Sequence, residues 1–448
     1  MKPRPPLPAG PYLVVGLARS GVAAALALRA RGEEVIGCDS GARGTPELDS
    51  AARRLSEAGV EVHLDASSDA LAALSGAGTL IKSPGVPQSA PLVAAARARG
   101  LPVLGELELA WRLVPNEFVA VTGTNGKTTT TEWIGHVHRE AALPVAVVGN
   151  VGTAATSLVD TVSADTTVIC EASSFQLEDT EAFAPEVAVL LNLESDHLDR
   201  HGTYGEYVAA KLRIFAGQGN YDVAIAPDDL EIEDLGGCAR RIRFGQSLGA
   251  ELSARAGHLW WGEEPLIPTP EISLPGVHNR ANAMATAAAC LARGVDRDAV
   301  LSGLRTFPGV AHRLELIAVR GGVAFVNDSK ATNVASTLVA LRSYPGGVHL
   351  IAGGRGKSQD FSPLAPAVAG HCAAVYLIGE ASDELARALD PAGVPIHPSG
   401  ELERALGEAA AAARSGDTVL LSPACASYDQ YPDFEARGAH FRALVEAL

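Results

Sequence analysis

Val121-Thr122-Gly123-Thr124-Asn125-Gly126-Lys127-Thr128-Thr129 stands between an apolar run (118–121) and a helical pattern (127–141). This order of strand, glycine turn and helix is the setting in which a phosphate loop works. The glycines let backbone N–H groups turn toward a polyphosphate, and the helix N-terminus adds a favourable dipole. Lys127 can reach the β- and γ-phosphates of ATP, and the Thr128 hydroxyl can ligate magnesium. The spacing G-x-x-G-K-T is two residues shorter than the general G-x-x-x-x-G-K-T. A plain glycine turn with a surface lysine is the alternative, and the coincidence of strand, glycines, lysine and threonines argues against it. The candidate nucleotide-phosphate residues are Gly123, Thr124, Asn125, Gly126, Lys127, Thr128 and Thr129.

An apolar run at 12–15, a glycine turn, a helical period at 21–31 and a second run at 34–38 make a β-α-β unit. Short apolar runs at 79–82 and 102–104 follow it. Beyond the phosphate loop, further runs lie at 145–148, 166–170 and 187–191, then a less regular stretch at 228–275 and a helix at 279–293. Thr306-Phe307-Pro308-Gly309-Val310 is a breaker cluster and reads as a linker about which a closing motion is expected. Runs near 323–326, 348–351, 373–378 and 418–421 alternate with helices after it. The fold class is α/β, with three domains in series at 1–105, 106–309 and 310–448.

The first glycine turn, Gly16-Leu17-Ala18-Arg19-Ser20-Gly21, resembles G-x-G-x-x-G, and Asp39 ends the second strand. A dinucleotide oxidoreductase is one reading of this pair. Ala18 occupies the position where a bare backbone normally lets a pyrophosphate approach, which weakens it. The helix start at Ser20–Gly21 can still hold a nucleotide diphosphate.

Composition excludes several classes. The chain has 448 residues, too many for one ordinary domain, and its apolar fraction of 47% with 5% aromatics implies a core of Ala, Val and Leu. A net charge of −16 argues against a nucleic-acid partner, which needs a basic face. The six cysteines form no C-x-x-C pair and read as buried thiols of a reducing compartment. The basic start is followed by an apolar stretch broken by Arg19 and Ser20, and no run of about 18 apolar residues exists. The expectation is a cytoplasmic protein with no signal peptide and no membrane contact.

Glu171-Ala172-Ser173-Ser174-Phe175-Gln176-Leu177-Glu178 follows one apolar strand, and Asn192-Leu193-Glu194-Ser195-Asp196-His197-Leu198-Asp199-Arg200-His201-Gly202 follows another. Ligands of open α/β sheets gather at the carboxyl ends of strands, so Glu171 is placed to serve as a magnesium carboxylate. His197 and His201 stand between a solvated-loop reading and a functional one. Lys211, on an amphipathic helix, reads by itself as an exposed lysine.

Together these strings resemble the Mur ligase family, and within it the glutamate-adding branch. Further markers are Leu274-Pro275-Gly276-Val277-His278-Asn279 with Asn282, His312-Arg313-Leu314-Glu315, Asn327-Asp328-Ser329-Lys330-Ala331-Thr332-Asn333, Gly353-Gly354-Arg355-Gly356-Lys357, Ser422-Pro423-Ala424-Cys425-Ala426-Ser427 and Phe434-Glu435-Ala436-Arg437-Gly438. The similarity runs from Gly16 to the C-terminus, nearly the whole chain. It implies an N-terminal Rossmann-like UDP-binding domain, a central P-loop ATPase-like domain and a C-terminal Rossmann-like domain. It further implies that Lys127 and Thr128 hold the ATP phosphates and a first magnesium ion, with Glu171 as ligand. His197 and a carbamylated Lys211 would hold a second. Asn279 and Asn282 would lie by the adenine, with Arg313 and Asp328 on the phosphate and ribose sides. Asn150 would contact the muramoyl substrate, and Ser20, Asp39, Ser83 and Gly85 the UDP site. Lys330, Thr332, Lys357, Ser427 and Phe434 would form the glutamate pocket. Arg355, Tyr428 and Arg19 depart from the family pattern, the first two at the amino-acid pocket and the third beside the uracil.

The implied partners are UDP-N-acetylmuramoyl-L-alanine and glutamate, handled by a monomer. The implied chemistry is phosphorylation of the substrate carboxylate by ATP, followed by attack of the glutamate amine on the acyl phosphate. Lys127 and two magnesium ions would neutralise charge during phosphoryl transfer.

Overall fold

Every residue of Tyr12–Val15, Phe118–Thr122 and Val187–Leu190 is buried. Strands covered on both faces read as unbroken apolar runs rather than alternations, and such runs mark the middle of each sheet here. The structure, a computed structural model, describes residues 2–41, 43–65, 76–150, 152–194, 196–232, 234–356 and 359–448. It divides into two units, Met1–Pro308 and Gly309–Leu448.

The first unit holds two sheets. Strands β1 (Tyr12–Val15), β2 (Val35–Cys38), β3 (Glu61–His63), β4 (Thr79–Lys82) and β5 (Val103–Gly105) are all parallel, in the order β3-β2-β1-β4-β5. The winding reverses between β1 and β4, and the crevice beyond their carboxyl ends is where such a sheet takes a ligand. Gly16 and Ser83 stand at that edge, joined by a Ser83 Oγ hydrogen bond to the Gly16 carbonyl of 2.7 Å.

The second sheet contains β6 (Phe118–Thr122), β7 (Val145–Gly149), β8 (Thr167–Glu171), β9 (Val187–Leu190), β10 (Val223–Pro227), β11 (Arg240–Gly245), β12 (Leu252–Arg255), β13 (His258–Trp261) and β14 (Glu264–Pro268). Its order is β14-β13-β12-β11-β10-β9-β6-β8-β7, with antiparallel pairing only at the β12-β13-β14 end. β6 therefore lies between β8 and β9. The register pairs Val121 with Glu171 and Thr122 with Leu190. The phosphate loop, the Glu171 block and the Asn192 block thus leave one sheet edge side by side.

Helix Lys127–Glu140 packs against Val277–Ala292 and Arg297–Thr306. Its Trp133 stacks on Phe307 with centroids 4.9 Å apart and planes at 18°. The expected linker is therefore anchored through Phe307, and the unit boundary falls between Pro308 and Gly309, the latter at φ +88°.

The second unit is one sheet of β15 (Glu315–Arg320), β16 (Val323–Asn327), β17 (Val348–Gly353), β18 (Cys372–Ile378), β19 (Ile396–Gly400) and β20 (Thr418–Leu421), ordered β15-β16-β20-β17-β18-β19. Only the β15–β16 pair is antiparallel. The segments 327–330, 353–355 and 422–427 leave the carboxyl ends of β16, β17 and β20.

Strands β3, β15 and β19, absent from the sequence reading, are edge strands with exposed or half-exposed residues, and β10, also absent from it, is a buried inner strand. All six cysteines are free thiols, and only Cys238 is exposed. No helix among the described residues is long and apolar enough to cross a membrane.

Candidate active site

Gly126 caps helix Lys127–Glu140 in the left-handed region at φ +83°, and no side chain caps the helix start. A Cβ at Gly126 would come within 2.4 Å of Asn282 Oδ1. Glycine is thus required there both for the backbone turn and for the buried Asn282 packed under it. Gly126→Ala is expected to weaken ADP binding by about tenfold or more, 1.4 kcal/mol, from left-handed strain and the Asn282 clash together. Calorimetric titration with ADP checks it.

The loop is also held from β9. Asn192 accepts from Asn125 N at 2.8 Å and donates to Asn125 O at 3.1 Å, while its own carbonyl accepts from Thr124 N at 3.1 Å. The Thr124 hydroxyl lies 2.8 Å from Tyr207 Oη and accepts from Glu194 N at 2.9 Å. A turn that is free in sequence is thus clamped on its flank by the protein itself.

Lys127 Nζ donates to the carbonyls of Gly123 at 2.9 Å and Thr124 at 2.8 Å. Lys211 Nζ donates to the same Gly123 carbonyl at 2.7 Å. The exposed lysine of the sequence reading is only 2% exposed. Thr203 and Glu206 form a capping box that starts helix Tyr204–Ala216, and the i,i+4 spacing sets Lys211 Nζ 4.7 Å above the Tyr207 ring. Burial first, and the neighbouring Lys127 second, push the Lys211 amine down to about 7.

Lys127, Asn150, Phe175, Asp196, His197, Tyr207 and Lys211 line one cavity of about 250 Å³ together with Ser173 and Ser174. Four predicted residues, Lys127, Asn150, His197 and Lys211, are thereby brought together. Thr128 and Glu171 do not line it; both are buried. Glu171 accepts from Asn150 Nδ2 at 3.0 Å, so the lining Asn150 orients the carboxylate behind it. His197 is half exposed, 3.4 Å from Asp196, with φ +51°. His201 instead bonds Ser174 Oγ at 3.0 Å and lies parallel to Phe175.

Among the described residues no three His, Cys, Asp or Glu side chains converge as a metal site. The predicted donors are a threonine hydroxyl, the Glu171 carboxylate and the His197 imidazole, with the Asp196 carboxylate also lining the cavity, beside two lysines. Hard magnesium favours the oxygens, and two ammonium groups disfavour it. A neutral Lys211 removes half of that repulsion, and its carbamate would add two oxygen donors. The residues fit magnesium on that condition.

At the first sheet, both Asp39 oxygens are taken by backbone: Oδ2 by Leu17 N at 2.6 Å and Oδ1 by Gly41 N at 2.8 Å. Ser83 is buried on Gly16, whereas Ser20 at the uncapped start of helix Arg19–Ala30 and Gly85 reach the surface. Asn279 Nδ2 bonds Pro275 O at 2.8 Å, and Asn282 Nδ2 lies 3.3 Å from Asn279 Oδ1.

In the second unit, Asp328 accepts from Ser422 Oγ at 2.8 Å and Leu314 N at 3.2 Å, and burial pushes its carboxyl up to about 7. Arg313 is a nearby positive charge that acts against that rise. Ser427 is buried, Lys330 and Thr332 are half-buried, and Phe434 opens the last helix. Lys357 lies outside the described residues.

Sequence reasoning assigned no role to Arg437, which is 1% exposed. Its guanidinium donates to Ser329 Oγ at 3.0 Å, Ser329 O at 2.9 Å and Cys425 O at 3.1 Å, and approaches Ala426 O at 3.4 Å. One cation thus gathers the segments after β16 and β20, which carry Lys330 and Ser427. Tyr207 and Asn192 were also missed. The i,i+4 spacing of Tyr207 to Lys211 was the available signal.

Two protein-family models match the chain: the Mur ligase middle domain over residues 121–290 and the Mur ligase glutamate ligase domain over 312–425. Among curated relatives, the UDP-N-acetylmuramoylalanine--D-glutamate ligase of Acidobacterium capsulatum is 42% identical, covering 97% of this chain and 96% of its own. That of Pelotomaculum thermopropionicum is 39% identical, covering 97% of each. Among solved structures, the UDP-N-acetylmuramate-alanine ligase MurC of Thermotoga maritima matches with TM-score 0.59 at 19% identity, covering 98% of this chain and 100% of its own. The MurF ligase of the same organism matches with TM-score 0.56 at 17% identity, covering 93% and 96%. At such identities these two speak for the fold alone.

Proposed function

Because the chain belongs to the Mur ligase family, we propose that it is the ATP-dependent ligase that joins D-glutamate to UDP-N-acetylmuramoyl-L-alanine in peptidoglycan precursor synthesis. The observation that carries this reading is similarity to D-glutamate ligases across 97% of the chain, not just across the nucleotide loop. An oxidoreductase reading would leave the Lys127–Lys211 cavity without a use.

A carboxylate resists an amine in water because its carbonyl carbon is electron-rich and the amine is protonated. Transfer of the γ-phosphoryl group of ATP to the alanine carboxylate releases ADP and makes an acyl phosphate. The D-glutamate amine attacks that carbonyl, loses a proton, and phosphate leaves as the C–N bond forms. Lys127 exchanges its two loop carbonyls for phosphate oxygens and offsets charge as the phosphoryl group moves. Asn150 holds Glu171 and lines the cavity, where it would meet the muramoyl substrate. Thr128, Glu171, His197 and a carbamylated Lys211 would hold two magnesium ions, which when bound neutralise phosphate charge.

Residues 1–105 serve the UDP portion through Ser20, Ser83 and Gly85, with Asp39 shaping the turn from behind. Residues 106–309 serve ATP, with Asn279 and Asn282 toward the base. Residues 310–448 serve glutamate through Lys330, Thr332, Lys357, Ser427 and Phe434, and ATP through Arg313 and Asp328. The protein works as a cytoplasmic monomer.

Phosphate release is expected only with ATP, UDP-N-acetylmuramoyl-L-alanine and D-glutamate together. L-Glutamate is expected to support at most about a hundredth of the rate, since a misplaced amine loses the orientation on which the second step depends. Equal turnover with both enantiomers, or release without the nucleotide sugar, would sink the assignment.

A further inference from the structure

Arg200 carries a guanidinium that the proposed reaction does not use, in a place where it touches both ends of the first unit's site. One nitrogen, Nη2, donates to Glu178 Oε1 at 2.6 Å, to the Val86 carbonyl at 3.0 Å and to the Pro84 carbonyl at 3.3 Å. These carbonyls belong to the loop after β4, at the edge assigned to the UDP portion. That loop abuts the first glycine turn, since a Cβ at Gly16 would lie 2.6 Å from Val86 Cγ2. Arg200 Cζ lies over the Phe175 ring, 4.7 Å from its centroid. Phe175 in turn lines the phosphate-loop cavity and lies 4.8 Å, centroid to centroid, from His197.

Among the described residues His197 has few other restraints. Its side chain is 48% exposed and pairs with Asp196 at 3.4 Å. The Phe175 ring is therefore a main determinant of where the imidazole points, and Arg200 bears on that ring. Lys82 also holds the Val86 carbonyl, at 2.8 Å, but it is fully buried and tied to Asp179 at 2.7 Å. Among the described residues, Lys82 holds the loop without an aromatic contact of its own, and Arg200 joins it to the Phe175 ring. A lysine at position 200 could keep a carbonyl contact and the charge, but not the broad planar group over the ring.

We propose that Arg200 is a positioning residue that couples the seat of the nucleotide sugar to His197, so that filling one side favours the other. This rests on the functional reading above. Movement of the 84–86 loop on binding would shift the guanidinium, the Phe175 ring and the imidazole in turn. A contiguous contact path becomes a coupling path only if a binding free energy follows it.

The test is calorimetric titration of UDP-N-acetylmuramoyl-L-alanine into the full chain, with and without saturating magnesium ADP. In the unaltered protein, ADP is expected to tighten the nucleotide sugar by about fivefold or more. In Arg200→Lys each ligand alone is expected to bind within about twofold of the unaltered protein, with the coupling factor near one. Phe175→Leu interrupts the path at the ring while leaving the Arg200 carbonyl contacts, and the same loss of coupling is expected. Coupling retained in both variants, or in whichever of them folds, overturns the proposal. So does an unaltered protein that binds both ligands without coupling. If the unaltered protein does not bind the nucleotide sugar at all, the functional reading falls and the coupling falls with it.

Discussion

Replacing Lys127 by alanine is expected to lower phosphate release by at least about two orders of magnitude, about 3 kcal/mol of transition-state stabilisation. The loop beside the side chain is also held independently of it. Asn192, Tyr207 and the Glu194 amide hold Thr124 and Asn125 from the β9 side. Losing Lys127 frees the Gly123 and Thr124 carbonyls, one of which Lys211 still contacts. The stability cost is therefore expected to be about 1 kcal/mol. Parallel measurement of steady-state phosphate release and the thermal unfolding midpoint separates the two effects. Near-normal turnover in a folded variant would remove Lys127 from the chemistry.

Lys211 is expected to give an equally large loss with a different pattern of repair. Its amine is buried, faces a second lysine, and is held down to about 7 by desolvation and that neighbour. The neutral amine therefore dominates as the pH rises above about 7, and only the neutral form can add carbon dioxide. The product is a carbamate with one negative charge, which reverses the sign of the group and supplies oxygens to a hard cation. Lys211→Ala is expected to be inactive and partly restored by a small added carboxylate such as formate or acetate. Lys211→Arg should stay inactive, because it restores positive charge alone. Full activity of Lys211→Arg would mean that the site needs a cation there, and the carbamate would be ruled out. Activity of the unaltered protein should fall as the pH is lowered through about 7, where the amine takes up its proton.

The parts of the protein that were legible in its sequence are those whose physics is local. The runs at 12–15, 79–82 and 418–421 coincide with β1, β4 and β20 because buried parallel strands must be apolar on both faces. The phosphate loop was legible for the same kind of reason, since glycines, lysine and helix start are neighbours in the chain. Lys211 was not. An amphipathic helix offers a lysine two futures, and the burial that decides between them comes from Tyr207 and a carbonyl 88 positions away. Arg437 was invisible because its carbonyl partners lie on segments far apart in sequence. The edge strands β3, β15 and β19 were missed because an edge has no need of an unbroken apolar run. The irregular stretch at 228–275 proved to carry β11 to β14, where the sheet turns antiparallel.

The grip of Leu17 and Gly41 on Asp39 bears on how ancestry is read from such chains. An acid closing the second strand of a glycine-turn unit is commonly taken as a mark of what the unit carries, a ribose hydroxyl above all. Here the same acid serves as a clasp: one oxygen fastens the turn after β1 and the other the turn after β2. Gly21 makes a parallel case, for a Cβ there would sit 1.8 Å from the Gly16 carbonyl. Half of a signature that looks like a cargo label is thus demanded by the container, and it would persist through a complete change of cargo.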